Sequence, residues 1–114
     1  MSRLYLGEHD FSGAVVLSSV TAGITASITQ SQGEGPLTSQ VNEVATVTNI
    51  NDTVTLPSAK AGIYCTVINN GANTLQLFPA SGDNLGAGVD TSTTVAASGI
   101  VTYVAYDATN WKAI

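Results

Sequence analysis

Two units of similar design, residues 62–79 and 99–114, constrain the fold more than any other feature of the sequence. Each begins with a run of β-branched and aromatic residues, passes through Asn, Asp or Gly turn residues and continues into a second apolar segment. The units coincide when one is shifted by 37 positions, which puts Gly62 on Gly99. Such residues favour half-buried strands joined by tight turns. The pattern therefore predicts two β-hairpins of one sandwich.

Shorter strand signals precede and separate these units. They lie at residues 41–48, 53–57 and 93–97, where apolar and polar residues mix and turn residues follow. Val20, Ile24 and Ile28 could lie on one helical stripe, but the Thr and Gly residues around them are weak helix formers, so extended structure is favoured there. The total is seven or eight short strands at regular spacing. That number predicts an all-β fold, a single β-sandwich or jelly-roll-like domain of antiparallel strands with an extended N-terminal region.

The N-terminal 40 residues differ from the rest in composition and in their weaker strand pattern. Residues 30–40 contain Gly-Glu-Gly-Pro between polar side chains, which is typical of a loop or hinge. Two interpretations of residues 1–40 stay open: an arm that reaches a neighbouring subunit by strand addition, or the first strands of the same sandwich. We place the β-sandwich domain itself at residues 41–114.

Alternation along the strands predicts which side chains form the core. The predicted core residues are Val54, Leu56, Ile63, Cys65, Val67, Leu75, Leu77, Val95, Ile100, Val104 and Trp111. Cys65 is the only cysteine, and its place in an alternating strand favours a buried thiol over a nucleophile. Trp111 is expected to close the core rather than to serve as a ligand platform.

Composition and charge exclude several classes of function. Charged residues make up 10% of the chain, and eight carboxylates against three basic residues give a net charge of −5. Such a surface repels phosphate backbones, so we expect no nucleic-acid binding. The longest aliphatic run, residues 14–17, is too short to span a bilayer, and the first ten residues lack a secretory pattern. We expect a soluble protein made in the cytosol, with no membrane partner.

Candidate catalytic and metal-binding residues are sparse. His9 is the only imidazole and lies beside Asp10 in the opening segment, where a catalytic triad would have to assemble with distant residues. Asp83 and Asp90 flank one loop, but the alternating carboxylates of a calcium loop are missing. The sequence predicts that the protein is not an enzyme and has no cofactor or metal.

Three segments resemble a known group of proteins. They are residues 54–62, which include Leu-Pro and Ala-Gly, residues 67–83, which include Asn-Asn-Gly-Ala and Pro-Ala-Ser-Gly-Asp, and the region from residue 95 to the closing Trp-Lys-Ala-Ile. These segments resemble sequences of small β-sandwich proteins and domains of tailed-bacteriophage virions, namely capsid decoration (cement) proteins and head or tail fibre modules. The resemblance covers about half of the chain.

The resemblance implies a structural protein of the virion. Its expected function is capsid decoration: it binds the outer surface of the capsid, with the major capsid protein as partner, and stabilises the particle as a homotrimer. The expected location is the capsid exterior, after synthesis in the host cytoplasm. We assign the capsid or subunit interface to apolar residues near the N-terminus: Leu4, Tyr5, Leu6 and Phe11.

An alternative of a different class remains open. The chain is then a receptor- or carbohydrate-binding module of a phage fibre or spike. Sugar rings stack on exposed aromatic side chains, and the candidates are Tyr5, Tyr64, Tyr106 and Trp111. The two functions differ in where the aromatic residues lie, because a sugar site needs several of them on one exposed face.

Overall fold

The structure, a computed structural model, describes residues 18–114. These residues form eight β-strands and no helix. The strands are β1 Val20–Thr25, β2 Val41–Thr46, β3 Thr53–Thr55, β4 Tyr64–Asn69, β5 Leu75–Phe78, β6 Thr93–Val95, β7 Ile100–Ala105 and β8 Trp111–Ala113. The predicted all-β class is confirmed.

The strands are arranged in two sheets. The large sheet has the order β1-β2-β4-β7-β8, and the small sheet has the order β3-β5-β6. Side chains of both sheets belong to one hydrophobic core, to which the large sheet contributes Val44 and Val67 and the small sheet Val54 and Leu77. This sandwich-like arrangement agrees with the predicted strand count.

The prediction of purely antiparallel strands is wrong, because both sheets are mixed. Parallel pairs join β1 to β2, β2 to β4, and β3 to β5. Antiparallel pairs join β4 to β7, β5 to β6, and β7 to β8. From β2 to β5 the chain alternates between the two sheets. A strand of the opposite sheet thus supplies the crossover for the β2–β4 and β3–β5 pairs, whereas residues 26–40 supply it for β1 and β2.

The first predicted hairpin is also wrong, whereas the second is confirmed. Strands β4 and β5 lie in different sheets, and the segment between them is organised by the buried side chain of Asn69. Its amide donates to the carbonyl oxygens of Asn73 (2.9 Å) and Val95 (3.0 Å), and its Oδ1 accepts from the N–H of Gly71 (2.9 Å). This network carries the chain from one sheet to the other. Strands β7 and β8 do form an antiparallel hairpin.

Eight of the eleven predicted core residues are buried, and Ile63 packs partly buried against them. Ile100 and Val104 were assigned to the core wrongly: Ile100 is 65% exposed, and Val104 is only half-buried. The inward positions of β7 are instead Val101, Tyr103 and Ala105. Both alternating sets on β7 are apolar, so alternation alone does not tell which set faces inward.

Cys65 is a buried thiol, as predicted. Burial raises its pKa to about 11. The neutral thiol therefore persists well above physiological pH, and Cys65 behaves as a small apolar residue of the core.

Residues 18–40 pack as part of the sandwich. Strand β1 pairs with β2, and Ala26 and Leu37 are buried in the core. Residues Ser27 and Pro36 form bridges to the edge of β3. The arm interpretation stays a prediction for residues 1–17, which lie outside the described part of the chain.

Candidate interaction surface

The outer side of the large sheet is the candidate functional surface. On β4, Cys65 and Val67 point into the core. Because successive side chains of a strand point to opposite faces, Tyr64, Thr66 and Ile68 point outward. The outer side of a central strand is therefore partly apolar.

Strand β7 presents a matching row. Its antiparallel register with β4 puts Ile100 opposite Ile68 and Val104 opposite Tyr64. On the far side, Val104 is paired with Lys112 of β8. Apolar side chains thus continue across neighbouring strands rather than standing singly.

We call this surface the open face. Its apolar members are Val20, Val41, Tyr64, Ile68, Ile100, Val104, Tyr106 and Ile114. Val20 extends it onto β1, where it is paired with Val41. Ile114 extends it past the end of β8, because its N–H donates to the carbonyl of Thr102 at 2.8 Å. The open face therefore reaches both edge strands of the sheet.

Several of these side chains are more than half exposed. The exposed fractions are 60% for Val20, 62% for Tyr106 and 75% for Ile114. A sheet with one face on the core normally presents polar residues on the other face. Contiguous apolar surface on a soluble protein marks a site of interaction.

Charge is limited to two side chains on the strands of the open face, Glu43 on β2 and Lys112 on β8. Glu43 is held in place: its carboxylate accepts from the N–H of Gly23 (2.7 Å) and from the amide of Asn70 (2.9 Å). These hydrogen bonds, the one from Gly23 most of all, lower the pKa of Glu43. The face therefore carries a fixed negative charge near one side, a positive charge near the other and no net charge.

The centre of the open face offers little polarity. Thr66 and Thr102 are directly opposite in the β4–β7 pair, and their hydroxyls are hydrogen-bonded to each other at 2.9 Å. One hydroxyl donates to the other, so part of the hydrogen-bonding capacity of this pair is used within the sheet.

The edge of the small sheet at β3 is covered by the preceding segment of the chain, whereas the outer side of the large sheet is not. Residues Thr53 and Thr55 of β3 are buried, and their backbone groups pair with Ser27, Gly35 and Leu37 of the preceding segment. A methyl group on Gly35 would lie 2.5 Å from the carbonyl oxygen of Thr53, so only glycine allows this close approach. The segment removes β3 as a free edge for strand addition.

The loop that was considered for calcium is organised by its own hydrogen bonds. Asp83 accepts from the N–H of Ala59 at 2.8 Å. Asp90 accepts from the amide of Gln32 (3.0 Å) and from the N–H of Gly82 (2.7 Å), and these bonds lower its pKa. Within residues 18–114, no group of three or more His, Cys, Asp or Glu side chains is placed to hold a metal ion.

The predicted interface residues Leu4, Tyr5, Leu6 and Phe11 lie outside the described residues, as does His9. Their roles remain predictions.

Of the aromatic residues proposed for sugar stacking that the structure describes, one is buried and two lie near each other on the open face. Trp111 is buried with 2% exposure, so it cannot serve as a platform, and its expected place in the core is confirmed. Tyr64 and Tyr106 are both exposed, at the same end of the open face. Tyr64 lies opposite Val104, and Tyr106 follows two residues later, just past the end of β7, so the two rings are close to the diagonal arrangement in which Cα atoms are about 7–8 Å apart.

The sequence interpretation missed Ile100 and Val104 as surface residues. A signal for them does exist: residues 100–105 are apolar at both alternating sets of positions apart from one Thr. A strand that is apolar on both faces has two surfaces to cover. Here the sandwich covers one of them.

Comparison of the chain with models of protein families, with curated protein sequences and with solved structures finds no match. In the part of the chain that the structure describes, no helix is long and apolar enough to cross a membrane.

Proposed function

We propose that this chain is a structural protein of a bacteriophage virion, a capsid decoration or cement protein. It binds the outer surface of the capsid through the major capsid protein and stabilises the particle. The proposed form is a homotrimer on the capsid exterior, assembled from chains made in the host cytoplasm.

The observation that carries this proposal is the open face. A protein that works by covering and linking other proteins needs contact area more than reactive groups, and exposed contiguous apolar surface is typical of such contacts. The residues that resemble phage virion proteins lie mainly in strands and turns of the sandwich, such as Pro57 after β3 and the network of Asn69. The resemblance therefore supports the proposal through the residues that form the sandwich, and not through a binding site.

A rigid scaffold suits the same role. Its turns are held by side-chain hydrogen bonds: Asp107 accepts from the N–H groups of Thr109 (2.8 Å) and Asn110 (2.7 Å). Asp52 is buried and accepts from the N–H of Asn49 at 2.9 Å. A scaffold that is already ordered loses less conformational entropy when it binds.

The energetic basis of cementing is mass action. A protein that binds only the assembled lattice lowers the free energy of that lattice by about 2.7 kcal/mol per site at a hundredfold excess over its dissociation constant. Because the chain has few charges, we expect its contacts to be mainly uncharged and to persist at high ionic strength.

The proposal is tested by co-sedimentation of the purified chain with phage particles that lack it, taken from the phage whose genome encodes it. We expect binding at about 0.1 M and at about 1 M salt, where the Debye length falls from about 10 to about 3 Å. A full-length Tyr5→Ser, Phe11→Ser variant examines the predicted interface residues and should bind more weakly. Failure of the wild-type chain to bind such particles contradicts the proposal.

The receptor- or carbohydrate-binding alternative has one observation in its favour, the adjacent and exposed Tyr64 and Tyr106. A sugar can stack on such rings, while Lys112 in the neighbouring row donates hydrogen bonds. Glycan-array binding that is lost in both Tyr64→Ala and Tyr106→Ala, without co-sedimentation with capsids, would favour this alternative over decoration.

A further inference from the structure

We infer that the open face is the contact surface between copies of this chain, and that its occupant is a second copy. The inference rests neither on the proposed function nor on its homotrimer, because a capsid protein and a fibre module can equally form such a contact. Two copies that meet through the same face form a twofold pair, and such a pair can join chains of two different trimers. The inference rests on the apolar character, the size and the charge arrangement of the face.

Apolar exposure gives the driving force. Ile100 is 65% exposed at the start of β7, and Tyr64 is 50% exposed at the start of β4, the adjacent antiparallel strand. Removing such surface from water contributes about 25 cal/mol per Å². Ile68 lies opposite Ile100 and Val104 lies opposite Tyr64, so each exposed side chain has an apolar neighbour across the strand pair. The apolar groups are thus concentrated on the central strands, where a partner would exclude water most completely.

The size of the face fits a specific contact. Neighbouring strands are about 4.8 Å apart and a strand rises about 3.3 Å per residue, so four strands of six residues and one of three cover about 430 Å². This plan area slightly exceeds the roughly 400 Å² per molecule that bounds most packing contacts in crystals. Tyr106 and Ile114, which lie just past the ends of β7 and β8, extend the exposed face beyond this plan area.

Charge complementarity identifies the occupant. Glu43 lies on β2 and Lys112 on β8, with β4 and β7 between them. A surface with opposite charges near opposite margins is complementary to a copy of itself, because Lys112 of one copy can meet Glu43 of the other. The face is electrically neutral, whereas the acidic excess of the chain is carried elsewhere, for instance by Asp83, Asp90 and Asp107 in loops and turns. Two copies therefore do not repel each other at this surface.

The main test is sedimentation velocity of the full chain at about 1 to 100 µM, the range in which micromolar dissociation constants are measured. We expect wild-type chains to associate. Ile100→Glu should raise the dissociation constant by about tenfold or more, because it buries a carboxylate in the contact. Ile50→Glu is the matched control, since Ile50 is 66% exposed in a turn away from the open face. It adds the same charge and should leave association unchanged.

Two results overturn the inference. Wild-type chains that remain monomeric at about 100 µM show that a second copy is not the occupant. The face is then covered by other residues of the chain or by a different partner. Equal weakening by Ile100→Glu and Ile50→Glu shows that added charge, and not the open face, controls association. Thermal unfolding of both variants checks that each remains folded.

A second pair of variants tests the charge arrangement without changing an apolar residue. Lys112→Glu puts a carboxylate opposite Glu43 of the other copy and should weaken association. Glu43→Gln removes that repulsion and keeps one oxygen to accept from the N–H of Gly23, while the exposed bond from Asn70 is lost. We therefore expect Glu43→Gln to restore part of the association in the Lys112→Glu background. Equal effects of Glu43→Gln in both backgrounds contradict a contact between these two residues.

Discussion

Ile68 on β4 and Ile100 on β7 lie directly opposite each other in the large sheet, and both side chains point away from the core. A cross-strand apolar pair contributes about 0.2–1 kcal/mol to the stability of a sheet. Ile100 nevertheless remains 65% exposed, so much of its apolar surface is available to a partner. The pair therefore serves the fold and the open face at once.

Trp111 should be among the residues on which the fold depends most. It is 2% exposed, and replacement by Ala leaves a large cavity, so Trp111→Ala should lower the free energy of unfolding by about 3–5 kcal/mol. The indole N–H finds no hydrogen-bond partner within residues 18–114, so Trp111→Phe should cost less. Tyr106→Ala on the open face should change stability by about 0.5 kcal/mol or less. Urea denaturation followed by circular dichroism measures all three, and a stable Trp111→Ala variant would refute this role.

Asn69 and Asn70 are adjacent but should respond very differently to substitution. Asn69 is buried, and Asn69→Ala leaves the N–H of Gly71 and the carbonyl of Val95 without these partners. Each unsatisfied buried group costs about 1–3 kcal/mol. Asn70→Ala removes an exposed bond to Glu43 and should cost about 0.5 kcal/mol or less. Equal unfolding midpoints of the two variants would contradict the proposed role of Asn69 in joining the sheets.

Trp111 and Asn69 also illustrate how much of the structure the sequence alone predicts. Alternation placed Trp111 correctly in the core, because a single large apolar residue at a strand start has few other stable positions. The same reasoning treated the Asn-rich segment after β4 as a hairpin turn. Nothing in its local sequence distinguishes a turn within one sheet from a connection between two. The difference depends on the carbonyl of Val95, which lies 26 residues away.

The open face was predictable only in part. The residues of β7 predict a strand, but its two faces are similarly apolar, and the packing of the small sheet decides which one is buried. The parallel pairing of β2 with β4 is likewise non-local, because it requires β3 to lie in the other sheet. Turn residues predicted a hairpin correctly only in the second unit. There Asp107 and Asn110 lie in the β7–β8 turn, and their side chains are hydrogen-bonded to each other.

Acid should destabilise the fold. The pKa of Asp52 is lowered mainly by the hydrogen bond from Gln30, and that of Asp107 mainly by the bond from Asn110. A carboxylate with a folded pKa below its unfolded value of about 3.9 stabilises the fold above that pH, and this stability is lost as the pH falls through the folded pKa. We expect Tm to vary little from about pH 7 to 5 and to decrease below about pH 4.

Asp52→Asn is the variant that tests this explanation. It removes one of the titrating groups, so Tm should be lower at neutral pH and should decrease less steeply in acid. Differential scanning calorimetry across the pH series measures both effects. An acid dependence identical to that of the wild-type chain would exclude Asp52 as a contributor.

Two truncations separate the N-terminal residues from the sandwich. A chain of residues 18–114 keeps β1, Ala26 and Leu37, so we expect it to fold with a cooperative thermal transition. A chain of residues 41–114 loses all three and exposes the edge of β3, so we expect it to unfold or aggregate. Far-UV circular dichroism distinguishes the outcomes. A folded 41–114 chain would contradict the packing of residues 18–40.

The most direct measurement of the proposed function is the temperature at which phage particles rupture, recorded by a DNA-binding dye during heating. Particles that lack the chain are heated with and without the purified protein at about 0.1 M and about 1 M salt. A decoration protein lowers the free energy of the intact lattice, so the rupture temperature should increase at both salt concentrations. A rupture temperature that the protein leaves unchanged would contradict the account.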